Sequence, residues 1–109
     1  MNKKFISTVA KFTYLRGSDP IPTVLVTEVD HTYIKGFNLN YASDNGINTE
    51  TLLDILFYAA QSKLLGAEFG YDLIRQFPPL AHCFRTYFRE ATREVTFLDS
   101  VATVQLVCQ

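Results

Sequence analysis

Scarcity is the first property of this sequence. Its 109 residues contain two cysteines, one methionine and no tryptophan. Two thiols are too few for a disulfide-dense secreted scaffold or a four-thiolate metal site. The formal net charge of −1 excludes a generally cationic nucleic-acid coat. No apolar run approaches the roughly 20 residues of a membrane-spanning helix. Met1 to Phe12 lacks the apolar stretch and small-residue cleavage site of a signal peptide, so a soluble, intracellular protein is expected. The five glycines, Gly17, Gly36, Gly46, Gly66 and Gly70, are scattered and build neither a Walker loop nor a dinucleotide loop.

What the chain does have is apolar content. Apolar residues are 48% of it and charged residues 19%, which excludes disorder by low hydrophobicity and high charge. A chain of this length buries about two-thirds of its unfolded surface, enough for one core. A single domain over 1–109 is expected, with a β-rich part at 1–42, a helical part at 48–90 and a closing β-hairpin at 94–107. No repeat, linker or low-complexity tract interrupts it.

Periodicity gives the order βββ–ααα–ββ. Ala10, Phe12 and Tyr14 alternate with Lys11 and Thr13, as in a half-buried strand. Gly17-Ser18-Asp19-Pro20 forms a turn, and Pro22 delays the next strand. Thr23 to Val29 has apolar side chains of both parities, which predicts a strand covered on both faces. Asp30-His31 is a hairpin loop, and Thr32 to Tyr41 returns antiparallel, with Tyr33, Phe37, Leu39 and Tyr41 on one face. Gly36 marks a bulge or a close backbone approach, and Asn38 and Asn40 are expected to face outward. Asn48 caps a helix that runs to about Leu65, with Gly66 as its left-handed cap. From Leu52 to Ala60 only Asp54 is polar, so that helix needs cover on most sides, which points to a partner or to self-association. A second helix spans Gly70 to Phe77, and a third opens at Pro79. On the third, Leu80, Phe84, Tyr87 and Phe88 share one face and Arg85, Arg89 and Arg93 another. Glu94 to Leu98 and Val101 to Val107 close the chain around Asp99-Ser100. The predicted class is α+β: a small curled antiparallel sheet, or a small barrel, with an inserted helical segment.

Catalytic chemistry finds little support. His31, His82, Cys83 and Cys108 lack the spacing of a zinc site, and neighbours on a helix such as His82 and Cys83 point about 100° apart. No Gly-x-Ser-x-Gly elbow occurs, and acids such as Glu28 and Asp30, or Asp44 and Glu50, sit where solvated acids are ordinary. No enzymatic activity, cofactor or metal is expected. The arginines Arg75, Arg85, Arg89 and Arg93, interleaved with Phe84, Tyr87 and Phe88, can follow a nucleic-acid backbone. Glu90 and Glu94 dilute that field, and a solvated face with local ion pairs explains the same residues. The nine Phe and six Tyr suit a core with some interface.

The segment Tyr33-Ile34-Lys35-Gly36-Phe37-Asn38-Leu39-Asn40-Tyr41 resembles a strand signature of small tailed-bacteriophage proteins, Gly-apolar-Asn-Leu-(Asn or His)-Tyr. In that family it follows a valine-rich strand after a Pro-containing turn, matched here by Asp19 to Val26. The stretch from Phe69-Gly70-Tyr71 through Cys83-Phe84-Arg85 to the closing strand is similar to the family's second half, and Ala42 stands where most relatives carry Leu. The resemblance implies a non-enzymatic phage protein of the virion or its assembly, or one accompanying replication genes, with a small barrel like the Src-homology-3 fold plus helices.

The expected function is therefore a bacteriophage structural or assembly protein working through protein–protein contacts, in the tail, baseplate or neck. Its partners would be other phage proteins or further copies of itself, in the host cytoplasm during infection and in the virion if structural. The candidate partner face is Leu53, Phe57, Tyr58 and Leu64. The alternative is a phage nucleic-acid-binding accessory factor that uses a small β-barrel and Arg85, Arg89 and Arg93. A third reading is a phage protein that captures and inhibits a host enzyme.

Overall fold

The computed structural model of the chain describes residues 9–62 and 66–98. It is an α+β fold in which five strands form one antiparallel sheet and two helices are inserted between the third and fourth strands. The strands are β1 (Val9–Tyr14), β2 (Thr23–Val29), β3 (Tyr33–Asn38), β4 (Phe84–Phe88) and β5 (Thr92–Leu98), in the order β4-β3-β2-β1-β5. The helices are α1 (Thr49–Gln61) and α2 (Gly66–Gln76). β4 and β5 are the two edges, so the sheet is curled but not closed. The curl is strong. Tyr87 on β4 meets Tyr14 and Phe12 on β1 edge-to-face, with ring centroids 4.9 and 5.2 Å apart, although β3 and β2 lie between those strands in the ladder.

This curl creates two cores. The concave face holds Ala10, Phe12, Val24, Val26, Ile34 and Tyr87. The convex face carries Val9, Leu25 and Phe37 and is covered by the helices through Leu52, Ile55, Leu56, Phe69 and Leu73. Strand β2 lies between the two, which is why its side chains of both parities are apolar, as its sequence predicts.

Gly36 provides both features expected of it. It pairs with Val26 beside a bulge in which Thr27 is the extra residue of β2. A Cβ at Gly36 would lie 2.1 Å from the carbonyl oxygen of Leu25, so no larger residue fits there.

The strand expected to run to Tyr41 stops at Asn38, where a 3₁₀ turn, Leu39–Tyr41, begins. Asn38 causes the stop. Its Oδ1 accepts the Asn40 N–H at 2.9 Å, which satisfies the turn's first donor. Asn38 also corrects the expectation that it faces outward, because it is fully buried. It shares the parity of Ile34 and Gly36, and the concave side at that level contains the Tyr87 hydroxyl.

Asn48 caps α1 as its sequence predicts, its Oδ1 accepting the Thr51 N–H at 2.8 Å. The helix ends at Gln61 rather than Leu65. Gly66 has the left-handed conformation expected, φ 63°, but it opens α2 instead of closing α1. Accordingly α2 begins at Gly66 rather than Gly70.

A third helix does not form. Pro78–Cys83 makes a short 3₁₀ helix, and Phe84–Phe88 becomes β4. The run Phe-Arg-Thr-Tyr-Phe has aromatic and β-branched side chains that suit a pleated surface, and β3 offers it an open edge. A 3₁₀ turn, Arg89–Ala91, leads from β4 into β5, which pairs with β1. The ladder between β1 and β5 shifts register beside Glu94, which has φ 57°. The Asp99-Ser100 turn and the second arm of the expected hairpin, Val101 to Val107, lie outside the described residues.

Candidate functional site

The outer face of α1 is where sequence and structure meet most directly. Leu52, Ile55, Leu56 and Ala59 turn inward and fill the convex core. That leaves Leu53 half-buried and Phe57 69% exposed, one turn apart on the same flank. An exposed Phe forgoes about 1.5–3 kcal/mol that burial of its side chain would provide. Leu64 lies outside the described residues.

Tyr58, placed in the same candidate face, has a different job. Its hydroxyl donates to the Asp72 carboxylate on α2, and its ring stands edge-on to Phe77 at 6.0 Å. Arg75 approaches the other Asp72 oxygen at 3.4 Å. The bond to Asp72 pushes the Tyr58 phenol above its usual range, with burial adding to it. Tyr58 is therefore the joint between α1 and α2, and Leu53 and Phe57 are the part of the predicted face that remains outward.

The arginines do not form one stripe, because the helix that would align them is absent. Arg85 is on β4, Arg89 in the 3₁₀ turn and Arg93 on β5. Each guanidinium is engaged by its own neighbourhood. Arg85 donates to the carbonyls of His82 and Phe84 at 3.1 and 2.8 Å and lies 5.2 Å from the Tyr41 ring centre. Arg89 donates to the Asp30 carbonyl at 3.1 Å, which fastens the β2–β3 loop to the turn. Arg93 donates to the carbonyls of Glu90 and Thr92 at 2.9 and 2.8 Å.

A polar network that sequence reasoning missed surrounds the Gly36–Tyr41 motif. Asn38 Nδ2 donates to the Asp19 carboxylate and to the Tyr87 hydroxyl, each at 2.9 Å. Asn40 Nδ2 donates to the same Asp19 oxygen at 2.9 Å and to the Ile21 carbonyl at 3.1 Å. One carboxylate oxygen thus gathers both asparagines and pins the β1–β2 loop over the end of β3. Burial pushes the Tyr87 phenol up to about 12. The recurring Asn spacing was the available signal, but Asp19 and Tyr87 are distant in sequence from the motif.

Among the described residues, no cluster of His, Cys, Asp and Glu is placed to hold a metal ion. His82 is exposed and its neighbour Cys83 is buried, where desolvation pushes the thiol up. Cys83 is a packed side chain in the convex core rather than an activated nucleophile. No helix among the described residues is long and apolar enough to cross a membrane. No protein-family model, curated protein or solved structure matches the chain.

Proposed function

We propose that this chain is a bacteriophage structural or assembly protein that acts through protein–protein contacts, in the tail, baseplate or neck. The observation that carries the contact reading is Phe57, a large aromatic side chain left 69% exposed on a helix whose other side fills the core. Aromatic residues of this kind are enriched at the centres of protein interfaces, and Leu53 extends the apolar surface by one turn. The phage assignment rests on the resemblance carried by the Tyr33–Tyr41 segment. The nucleic-acid alternative draws less support, since Arg85, Arg89 and Arg93 are dispersed over three elements and bonded to main-chain carbonyls.

The test is a Phe57→Asp variant, which places a charge in the centre of the contact at a side chain that is already mostly exposed. It should melt like the wild-type chain but fail to enter particles assembled in infected cells. A folded Phe57→Asp chain that enters particles at the wild-type level would contradict this reading.

A further inference from the structure

The outer stripe of α1 carries charge of one sign. Glu50, Asp54, Phe57 and Gln61 follow one another at helical spacing, all exposed, and α1 contains no Lys or Arg. Among the described residues, neither Glu50 nor Asp54 has a basic partner within ion-pair distance. The exposed Phe57 ring therefore stands on an acidic surface, with Asp54 one turn before it.

A hollow of the opposite character lies elsewhere on the same chain. A pocket of about 220 Å³ opens between the β1–β2 loop and the outer edge of β4. Tyr14, Tyr41 and Tyr87 line it, together with Arg16 and Arg85. Tyr14 and Tyr87 meet edge-to-face at 4.9 Å, and the Arg85 guanidinium lies over the Tyr41 ring, so the pocket offers aromatic surface to an incoming ring. Its acid, Asp19, is engaged within the chain, where its carboxylate accepts from Asn38, Asn40 and the Ile21 N–H. Arg16 is paired with Glu90 at 2.8 Å. Arg85 is exposed and bonds main-chain carbonyls, and among the described residues it has no carboxylate partner.

We propose that Phe57 of one copy of this chain inserts into the tyrosine pocket of a second copy, where Asp54 of the first pairs with Arg85 of the second. The proposal rests on the reading of the outer face of α1 as a contact surface and names its partner. Charge complementarity selects this pocket. The other apolar hollow, between α2 and the paired strands β2 and β3, is bordered by Glu28 and Lys35, which neutralise each other at 3.7 Å and offer an acidic helix no attraction. Geometry sets the kind of assembly. α1 packs on the convex core, whereas Tyr14 and Tyr87 pack on the concave one, so the inserting and receiving surfaces are different patches of one chain. The contact is therefore head-to-tail, and each copy that offers Phe57 keeps its own pocket open for the next. Such a contact builds a ring if the rotation closes and a filament if it does not.

The experiment is sedimentation velocity of the full chain over a concentration series, with circular dichroism melting to verify that each variant is folded. The wild-type chain should self-associate as its concentration rises. Phe57→Asp should remain monomeric, and Asp54→Arg and Arg85→Glu should each weaken association about tenfold or more. The chain that carries both Asp54→Arg and Arg85→Glu should recover association, because the pair is restored with its signs exchanged. Phe57→Asp keeps an intact pocket and Arg85→Glu keeps an intact Phe57. Mixed at a concentration where neither associates alone, they should form a one-to-one complex. A wild-type chain that stays monomeric throughout, a charge-exchanged chain no better than its single variants, or a mixture that stays monomeric would each overturn the inference. If the wild-type chain is monomeric while Phe57→Asp still fails to enter particles, a second copy is the wrong occupant and the contact surface on α1 stands.

Discussion

Replacing Asn38 by alanine removes the centre of the polar network beneath the motif, and the size of the loss follows from its bonds. Asn38 makes two neutral hydrogen bonds, to the Tyr87 hydroxyl and from the Asn40 N–H, and one to the Asp19 carboxylate, all at 2.9 Å. Neutral bonds contribute about 1 kcal/mol each and a bond to a charged group about 1.5–3 kcal/mol, so Asn38→Ala should destabilise the fold by about 3–5 kcal/mol. A domain of this size has only about 5–15 kcal/mol in total. Asn40, which is exposed, bonds the same carboxylate and the Ile21 carbonyl. Water replaces those bonds readily, and Asn40→Ala should lose no more than about 1 kcal/mol. Asp19→Ala should fall between the two. The assay is urea unfolding of each variant followed by circular dichroism, with a double-mutant cycle between Asn38→Ala and Tyr87→Phe for the buried bond. The reasoning fails if Asn38→Ala loses less than about 1 kcal/mol, or if Asn40→Ala loses as much as Asn38→Ala.

Other perturbations test other parts of the fold. Gly36→Ala should leave little folded protein by circular dichroism, because its methyl group would meet the Leu25 carbonyl oxygen at 2.1 Å; a stable Gly36→Ala chain would show that β2 and β3 can separate. Glu94→Gly should raise stability by about 0.5–1 kcal/mol, since a side chain at φ 57° carries strain that glycine lacks; an unchanged or lowered melting temperature would refute this. The raised phenol of Tyr87 makes stability full below the ordinary tyrosine value near 10 and lost as pH climbs through about 12. Alkaline unfolding should therefore deepen across that window in the wild-type chain and be shallower in Tyr87→Phe, and identical alkaline profiles would contradict the burial of that hydroxyl.

Some of the architecture is written locally and some is not. The limits of β2 follow from a β-branched run between Pro22 and Asp30, and the start of α1 follows from Asn48. These are choices made by adjacent residues. The end of α1 was harder, because the left-handed glycine that suits a helix stop serves here as a helix start. The sequence of β4 is ambiguous because Phe84, Tyr87 and Phe88 fit a helical face as well as Phe84, Thr86 and Phe88 fit a strand face. Only the open edge of β3 decides between them.

The sites divide in the same way. Phe57 was legible because a helix with a single polar residue from Leu52 to Ala60 must leave something apolar outside. Tyr58 was assigned to the same surface because its partner, Asp72, belongs to another helix. Asn38 was expected to face solvent because its partners Asp19 and Tyr87 are 19 and 49 residues away.

The measurement that bears most directly on the proposed role is quantitative mass spectrometry of purified phage particles that carry this gene. A structural or assembly protein that remains with its partners should be present at a fixed stoichiometry, in several or more copies per particle. Absence of the chain from particles, while it is abundant in the infected cells that release them, would contradict a place in the virion.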